Sequence, residues 1–166
     1  MSSATFVPLR PAEPALLSEV LALNAAVAHW TSPLDAPALD RLLAASAFAE
    51  AALDDGRVAA FLVGFDERSA YDSPNFLWFR DCLPRFAYID RVVTTPWAQG
   101  QGLARALYAR FAAWAAAQGH DRLACEVDGT NPGSETFHAR LRFTKLGHGE
   151  PYPGKAVRYL TRPLPL

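Results

Sequence analysis

Between Phe86 and Ala117 the chain passes from an extended run into a helix through a pair of glycines, and the rest of the sequence is organised around that join. Ile89, Val92 and Val93 mark a β-rich segment, Pro96 ends it, and Gly100 and Gly102 make a tight turn. Leu103, Leu107, Phe111 and Trp114 then recur at helical spacing. The pattern reads as strand, loop, helix. A helix opening straight from such a loop presents backbone N–H groups with no partner inside the helix, and its macrodipole places roughly half a positive charge there. That combination is a socket for phosphate; the structural alternative is a plain glycine-capped turn. A dinucleotide fingerprint would need glycine where Arg105 stands, and the Lys-Ser/Thr of a P-loop is missing.

A chain of 166 residues with 51% apolar and 20% charged content is read as one globular domain, residues 1–166, with enough material for a full core. The net charge of −1 offers no electrostatic case for nucleic acid or an anionic membrane. Cys82 and Cys125 are too few and too far apart for a disulfide framework or a zinc site, so no metal is expected and a reducing cytoplasm fits. No uncharged run approaches the ~18 residues of a membrane span, and the N-terminus has no apolar signal segment.

Thr5 to Arg10 reads as a first strand. A helix carries Leu16, Leu17, Val20, Leu21, Leu23 and Val27, and after the turn His29 to Asp35 a second helix opens at Asp35 or Ala36. Phe48–Leu53 and Arg57–Phe65 flank Asp54-Asp55-Gly56 as a hairpin. The segment Asp66 to Arg85 reads as a long ordered connection rich in aromatics, of a length that points to function. Leu123–Val127 reads as a strand and Pro132–Leu141 as a short helix. Phe143–Gly147 and Val157–Thr161 read as closing strands.

Gln99-Gly100-Gln101-Gly102-Leu103-Ala104, after the Val93-x-x-Pro96 lead-in, resembles the Q/R-x-x-G-x-G/A signature of the GNAT superfamily of acyl-CoA-dependent N-acetyltransferases. Asn131-Pro-Gly-Ser134-Glu-Thr-Phe137-His138-Ala-Arg-Leu141-Arg-Phe143 resembles its second block, N-x-x-S-x-x-F-Y-x-x-L-G-F. Two positions depart: His138 stands for the usual Tyr and Arg142 for the usual Gly. The resemblance covers roughly Thr5 to Thr161. It implies an α/β (α+β) fold with a mixed central sheet flanked by helices on both faces, in the order β-α-α-β-β-β-α-β-α-β-β. It also implies acetyl-CoA as co-substrate and direct transfer of the acetyl group to a small-molecule or peptide amine, by a monomer or homodimer. The alternative is a non-catalytic module of the same fold that binds acyl-CoA or a metabolite.

Carried over residue by residue, the resemblance assigns Val92, Val93, Gln99, Gly100, Gln101, Gly102, Leu103, Ala104 and Arg105 to the pyrophosphate side of CoA. Asn131, Ser134 and Phe137 fall on its pantetheine side, although Asn131 also fits a helix cap and Phe137 the core. His138 takes the place of the Tyr that protonates the departing thiolate. Its pKa of about 6.5, against about 10 for Tyr, makes it a conditional acid. An amine of pKa about 10.4 is almost wholly protonated at neutral pH, so a base is useful. Asp90, on the pleat face of Tyr88, is the first candidate; Glu126 on the neighbouring strand is the second. An ion pair of Asp90 with Arg91 or Arg158 is the alternative. By the same resemblance His29, Trp30 and Asp35, with Tyr71, Asn75 and Trp78, are candidate acceptor-site walls; the alternatives are packing of one loop on another or a dimer contact.

Overall fold

The computed structural model describes residues 3–166. Its elements are β1 (Thr5–Pro8), α1 (Pro14–Ala26), α2 (Ala36–Ala45), β2 (Phe48–Asp54), β3 (Arg57–Asp66), α3 (Pro74–Cys82), β4 (Ala87–Thr94), α4 (Leu103–Ala117), β5 (Arg122–Asp128), α5 (Pro132–Arg140), β6 (Thr144–Tyr152) and β7 (Lys155–Pro163), with a 3-10 turn at Pro96–Ala98. Seven strands form one mixed sheet in the order β1-β2-β3-β4-β5-β7-β6, flanked by helices. The expected order holds with one addition: Asp66 to Arg85 is not an irregular connection but contains α3. The closing strands are also longer than expected, because β6 continues through Gly147, Gly149 and Pro151 before turning at Pro153-Gly154.

The chain forms two compact units: the residues up to Gly64 with Arg91–Phe111, and Phe65–Asp90 with Ala112–Leu166. In the first, β1 pairs antiparallel with β2 and β2 with β3. Asp55 and Gly56, at φ 48° and 74°, supply the two left-handed residues that a two-residue hairpin turn requires. Asp35 caps α2 by accepting from the Ala38 N–H at 2.8 Å, and Pro37 sits in the first turn where no N–H is needed. Val20, Leu23, Leu39, Leu43, Phe61 and Phe111 are buried. Gly64 is held to glycine by packing, since a Cβ there would lie 2.5 Å from the Phe111 ring.

In the second unit β5 pairs antiparallel with β7 over its whole length, from Arg122↔Pro163 to Asp128↔Val157, and β6 closes on β7. The parallel β4/β5 ladder is short, with Ala87↔Leu123 and Tyr88↔Ala124 in register. α3 turns Phe76 and Phe79 inward, where they meet Phe86 and Tyr88 with ring centroids 5.6 to 6.2 Å apart. These four rings are fully buried. At roughly 1.5–3 kcal/mol for each buried large side chain, this cluster, rather than helix propensity, holds a nine-residue helix in place.

Candidate functional site

β4 ends with Val92 half-buried and Val93 buried, and the chain reaches α4 through the 3-10 turn. Gly100 and Gly102 both have φ +79°, and a Cβ on either would meet no protein atom within 4 Å. The need for glycine there is conformational, not a matter of packing. Gly102 accepts the first helical bond, from the Ala106 N–H at 2.9 Å. The N–H groups of Leu103, Ala104 and Arg105 therefore belong to the first turn, which has no intrahelical acceptor to offer them. That turn contains no acidic residue. Gln99, Gly100, Gln101, Gly102 and Arg105 are exposed. The arrangement suits an anion.

The β5-to-α5 junction is built differently. Asn131 is the N-cap, its side-chain oxygen accepting from the Ser134 N–H at 3.2 Å, so the capping alternative is realised. His138 is buried, its ring edge-on to Phe137 and Phe143 at 5.2 Å. Its Nδ1 lies 2.7 Å from the Ser134 backbone oxygen. A carbonyl only accepts, so Nδ1 carries the proton and the neutral ring presents Nε2 as an acceptor. Burial pushes the imidazole below its ordinary pKa, against the Ser134 hydrogen bond. Arg142, which stands where the resembled motif has glycine, keeps the glycine-like conformation at φ 61° and closes α5 through Arg142 N–H to Ala139 oxygen at 3.0 Å.

The second unit also gathers the aromatic and acidic candidates. Asp90 accepts from the Tyr71 hydroxyl at 2.5 Å. Glu126 receives two donors: the Tyr88 hydroxyl on Oε2 at 2.7 Å and the Asn75 amide on Oε1 at 3.2 Å. Asn75 accepts in turn from the Tyr159 hydroxyl at 3.0 Å, and Trp78 stacks on Tyr159 with centroids 4.0 Å apart. Burial pushes the Glu126 carboxyl up to about 8; the Tyr88 hydrogen bond opposes this and the Asp90 charge adds to it. Tyr88 is pushed well above its ordinary value, first by burial and then by the Glu126 charge, and so remains a donor. The resemblance put Asp90 first and Glu126 second. In the structure Glu126 receives two side-chain donors, one of them Asn75 from α3, which was not visible as a helix.

Of the remaining candidates, Tyr71 bonds Asp90 and Asn75 bonds Glu126, Trp78 lies against Tyr159, and Asp35 serves as the α2 cap. His29 and Trp30 are exposed and touch each other at 4.6 Å between ring centroids. Arg91 donates to Asn24 Oδ1 at 2.9 Å and to Ser32 Oγ at 2.8 Å, and Arg158 pairs with Glu135. The Cys125 thiol is pushed well above its ordinary pKa by burial and then by Glu126, which suits packing and not nucleophilic attack. Among the described residues, no group of three or more His, Cys, Asp or Glu is placed to hold a metal ion. Nor is any helix among them long and apolar enough to cross a membrane.

The folds of known acetyltransferases match this one. The ribosomal-protein-S18-alanine N-acetyltransferase of Escherichia coli is 16% identical, with a TM-score of 0.71 over 99% of this chain and 96% of that one. The NatC complex bound to Gag peptide and CoA contains a chain 13% identical, with a TM-score of 0.77 over 98% and 99%. YncA of Salmonella typhimurium, a putative acetyltransferase solved with acetyl-CoA, is 20% identical with a TM-score of 0.68 over 99% and 96%. No curated protein matches the chain in sequence. The model of the acetyltransferase (GNAT) family matches residues 20–143. Spanning well over half of the sequence and containing both glycine-loop and second-block residues, that match shows that the chain belongs to the acetyltransferase (GNAT) family.

Proposed function

We propose that the protein moves the acetyl group of acetyl-CoA directly to an amine, with Glu126 as the general base. The observation that carries this reading is a carboxyl raised to about 8 and held between two fixed donors. A base serves best when its pKa lies near the working pH, and an amine of pKa about 10.4 must lose a proton before or as it attacks. Acetyl-CoA supplies the thioester whose C–S bond breaks as the N–C bond forms, the sulfur leaving with the bonding pair. Glu126 takes the amine proton. Asp90, hydrogen-bonded to Tyr71, adds a second negative group that favours a cationic amine. The N–H groups of the glycine loop hold the pyrophosphate, with Gln99, Gly100, Gln101, Gly102 and Arg105 around it. His138, neutral and protonated on Nδ1, packs and does not donate. A thiolate, with a pKa near 8.5 by analogy with Cys, leaves without an acid.

Two structural neighbours are named for a ribosomal-protein alanine acceptor and a bound peptide, which supports including peptide N-termini among the amines tried. The test is release of CoA thiol from acetyl-CoA with a panel of N-terminal peptides, polyamines and arylalkylamines. The expected result is turnover with at least one amine, at a rate that rises with pH to a plateau above about 8, since the carboxylate is the active form. Glu126→Gln should lower kcat by about 10²- to 10⁴-fold with the KM for acetyl-CoA unchanged. Wild-type kcat in that variant would sink the assignment, and acetyl-CoA binding without turnover of any amine would favour the non-catalytic module.

A further inference from the structure

We propose that α3 is a positioning element for Glu126: Asn75, fixed by the Tyr159 hydroxyl and the Trp78–Tyr159 stack, orients the carboxylate and sets its proton affinity. The inference takes its catalytic meaning from the reading of Glu126 as base, but its geometry stands alone. Asn75, Trp78 and Phe79 lie at i, i+3 and i+4 on α3, on one helix face. Trp78 stacks on Tyr159 with planes 15° apart, and Phe79 meets the same ring edge-on at 5.3 Å. β6 makes room for this. A Cβ at Gly147 would lie 2.7 Å from Trp78, and one at Gly149 3.1 Å from the Tyr159 hydroxyl. The glycines thus set how close both rings come to the strand.

The chain of donors has one consistent direction when Glu126 is ionised. A carboxylate only accepts, so Asn75 must present its NH₂ to Oε1, which leaves Oδ1 to accept from Tyr159. Burial, then the Glu126 charge, push the Tyr159 hydroxyl above its ordinary pKa, so it retains its proton. An amide so fixed favours the charged form of Glu126, as does Tyr88, while burial and Asp90 oppose it. The titratable groups coupled to Glu126 are Tyr88 and Asp90 on β4, Tyr159 on β7 and, from the opposite face of β5, the adjacent Cys125, with Tyr71 beyond Asp90. From α3 itself the facing group is the neutral amide of Asn75.

The test follows the Glu126 carboxyl carbon by NMR in full-length protein labelled with ¹³C-glutamate, the signal being the one absent in Glu126→Gln. The wild-type midpoint is expected near 8. Asn75→Leu should raise it by roughly one unit, because a hydrogen bond to the charged form is lost. Tyr159→Phe should raise it by less, and Tyr152→Phe, at an exposed position, should leave it alone. The rising limb of kcat against pH should move with the midpoint while the KM for acetyl-CoA holds. Midpoints unchanged to within about 0.2 units in both folded variants would overturn the proposal. If Asn75→Leu does not fold, Tyr159→Phe decides. Shifted midpoints alongside full turnover in Glu126→Gln would remove the base assignment and leave the coupling through Asn75 standing.

Discussion

Two strand-to-helix junctions in this chain have opposite chemistry. The one into α4 is made by two left-handed glycines, has no acid in its first turn and leaves its opening N–H groups without an intrahelical acceptor. The one into α5 has Pro132 at its start, Glu135 in its first turn and Asn131 folded over the Ser134 N–H. Both follow a β-strand. A helix N-terminus is thus not in itself a phosphate site: a side-chain cap and a first-turn carboxylate fill the same positive end that a bare glycine turn leaves available.

The sharpest attempt to break this contrast is Gly102→Val. At φ +79° a β-branched residue is strained by about 1–2 kcal/mol or more, and its side chain would extend from the proposed phosphate loop. The variant should remain folded at reduced Tm and lose the rise in Tm that acetyl-CoA gives the wild type. A full ligand-induced shift would return the loop to an ordinary turn. Asn131→Ala is the counterpart. Loss of a cap costs about 1 kcal/mol, so urea denaturation should show that loss while the acetyl-CoA shift survives. A variant of wild-type stability that no longer responds to acetyl-CoA would make Asn131 a cofactor contact instead. The smallest effect is expected at the far end of α5. Arg142→Gly places glycine where φ is already 61° and should stabilise by up to about 1 kcal/mol with activity unchanged. A loss of stability would mean that the Arg142 side chain contributes more than its backbone conformation costs.

The α4 junction was legible because its signal is local: two glycines, a β-rich run before them and a helical period after. The hairpin at Asp55-Gly56 and the α2 start at Asp35 were legible for the same reason. α3 was not. Its residues Phe76, Trp78 and Phe79 are weak helix formers, the helix spans only Pro74–Cys82, and Asp66 to Ser73 ahead of it does read as loop. Ser73-Pro74, the Phe76/Phe79 spacing and Pro84 were the available marks. That omission carried into the site. Glu126 ranked below Asp90 because the resemblance favoured a carboxylate on β4, and no spacing within β5 reveals its burial or an amide arriving from residue 75. His138 could be read as an acid from its position in the motif. The orientation of its ring depends on one backbone carbonyl a helical turn earlier.

β6 is the last strand of the sheet, where most positions accept many side chains. Gly147 is an exception, although its backbone φ is not of the kind that demands glycine. Even a methyl group there would have to displace the indole of Trp78, whose six-membered ring lies 2.7 to 2.8 Å from where that methyl would sit. In a survey of substitutions across the whole chain, Gly147 would therefore stand among the sensitive positions while making no contact with either carboxylate. Any increase in residue size at this edge position would have to be matched by a smaller side chain at position 78, so the first site can grow only if the second shrinks.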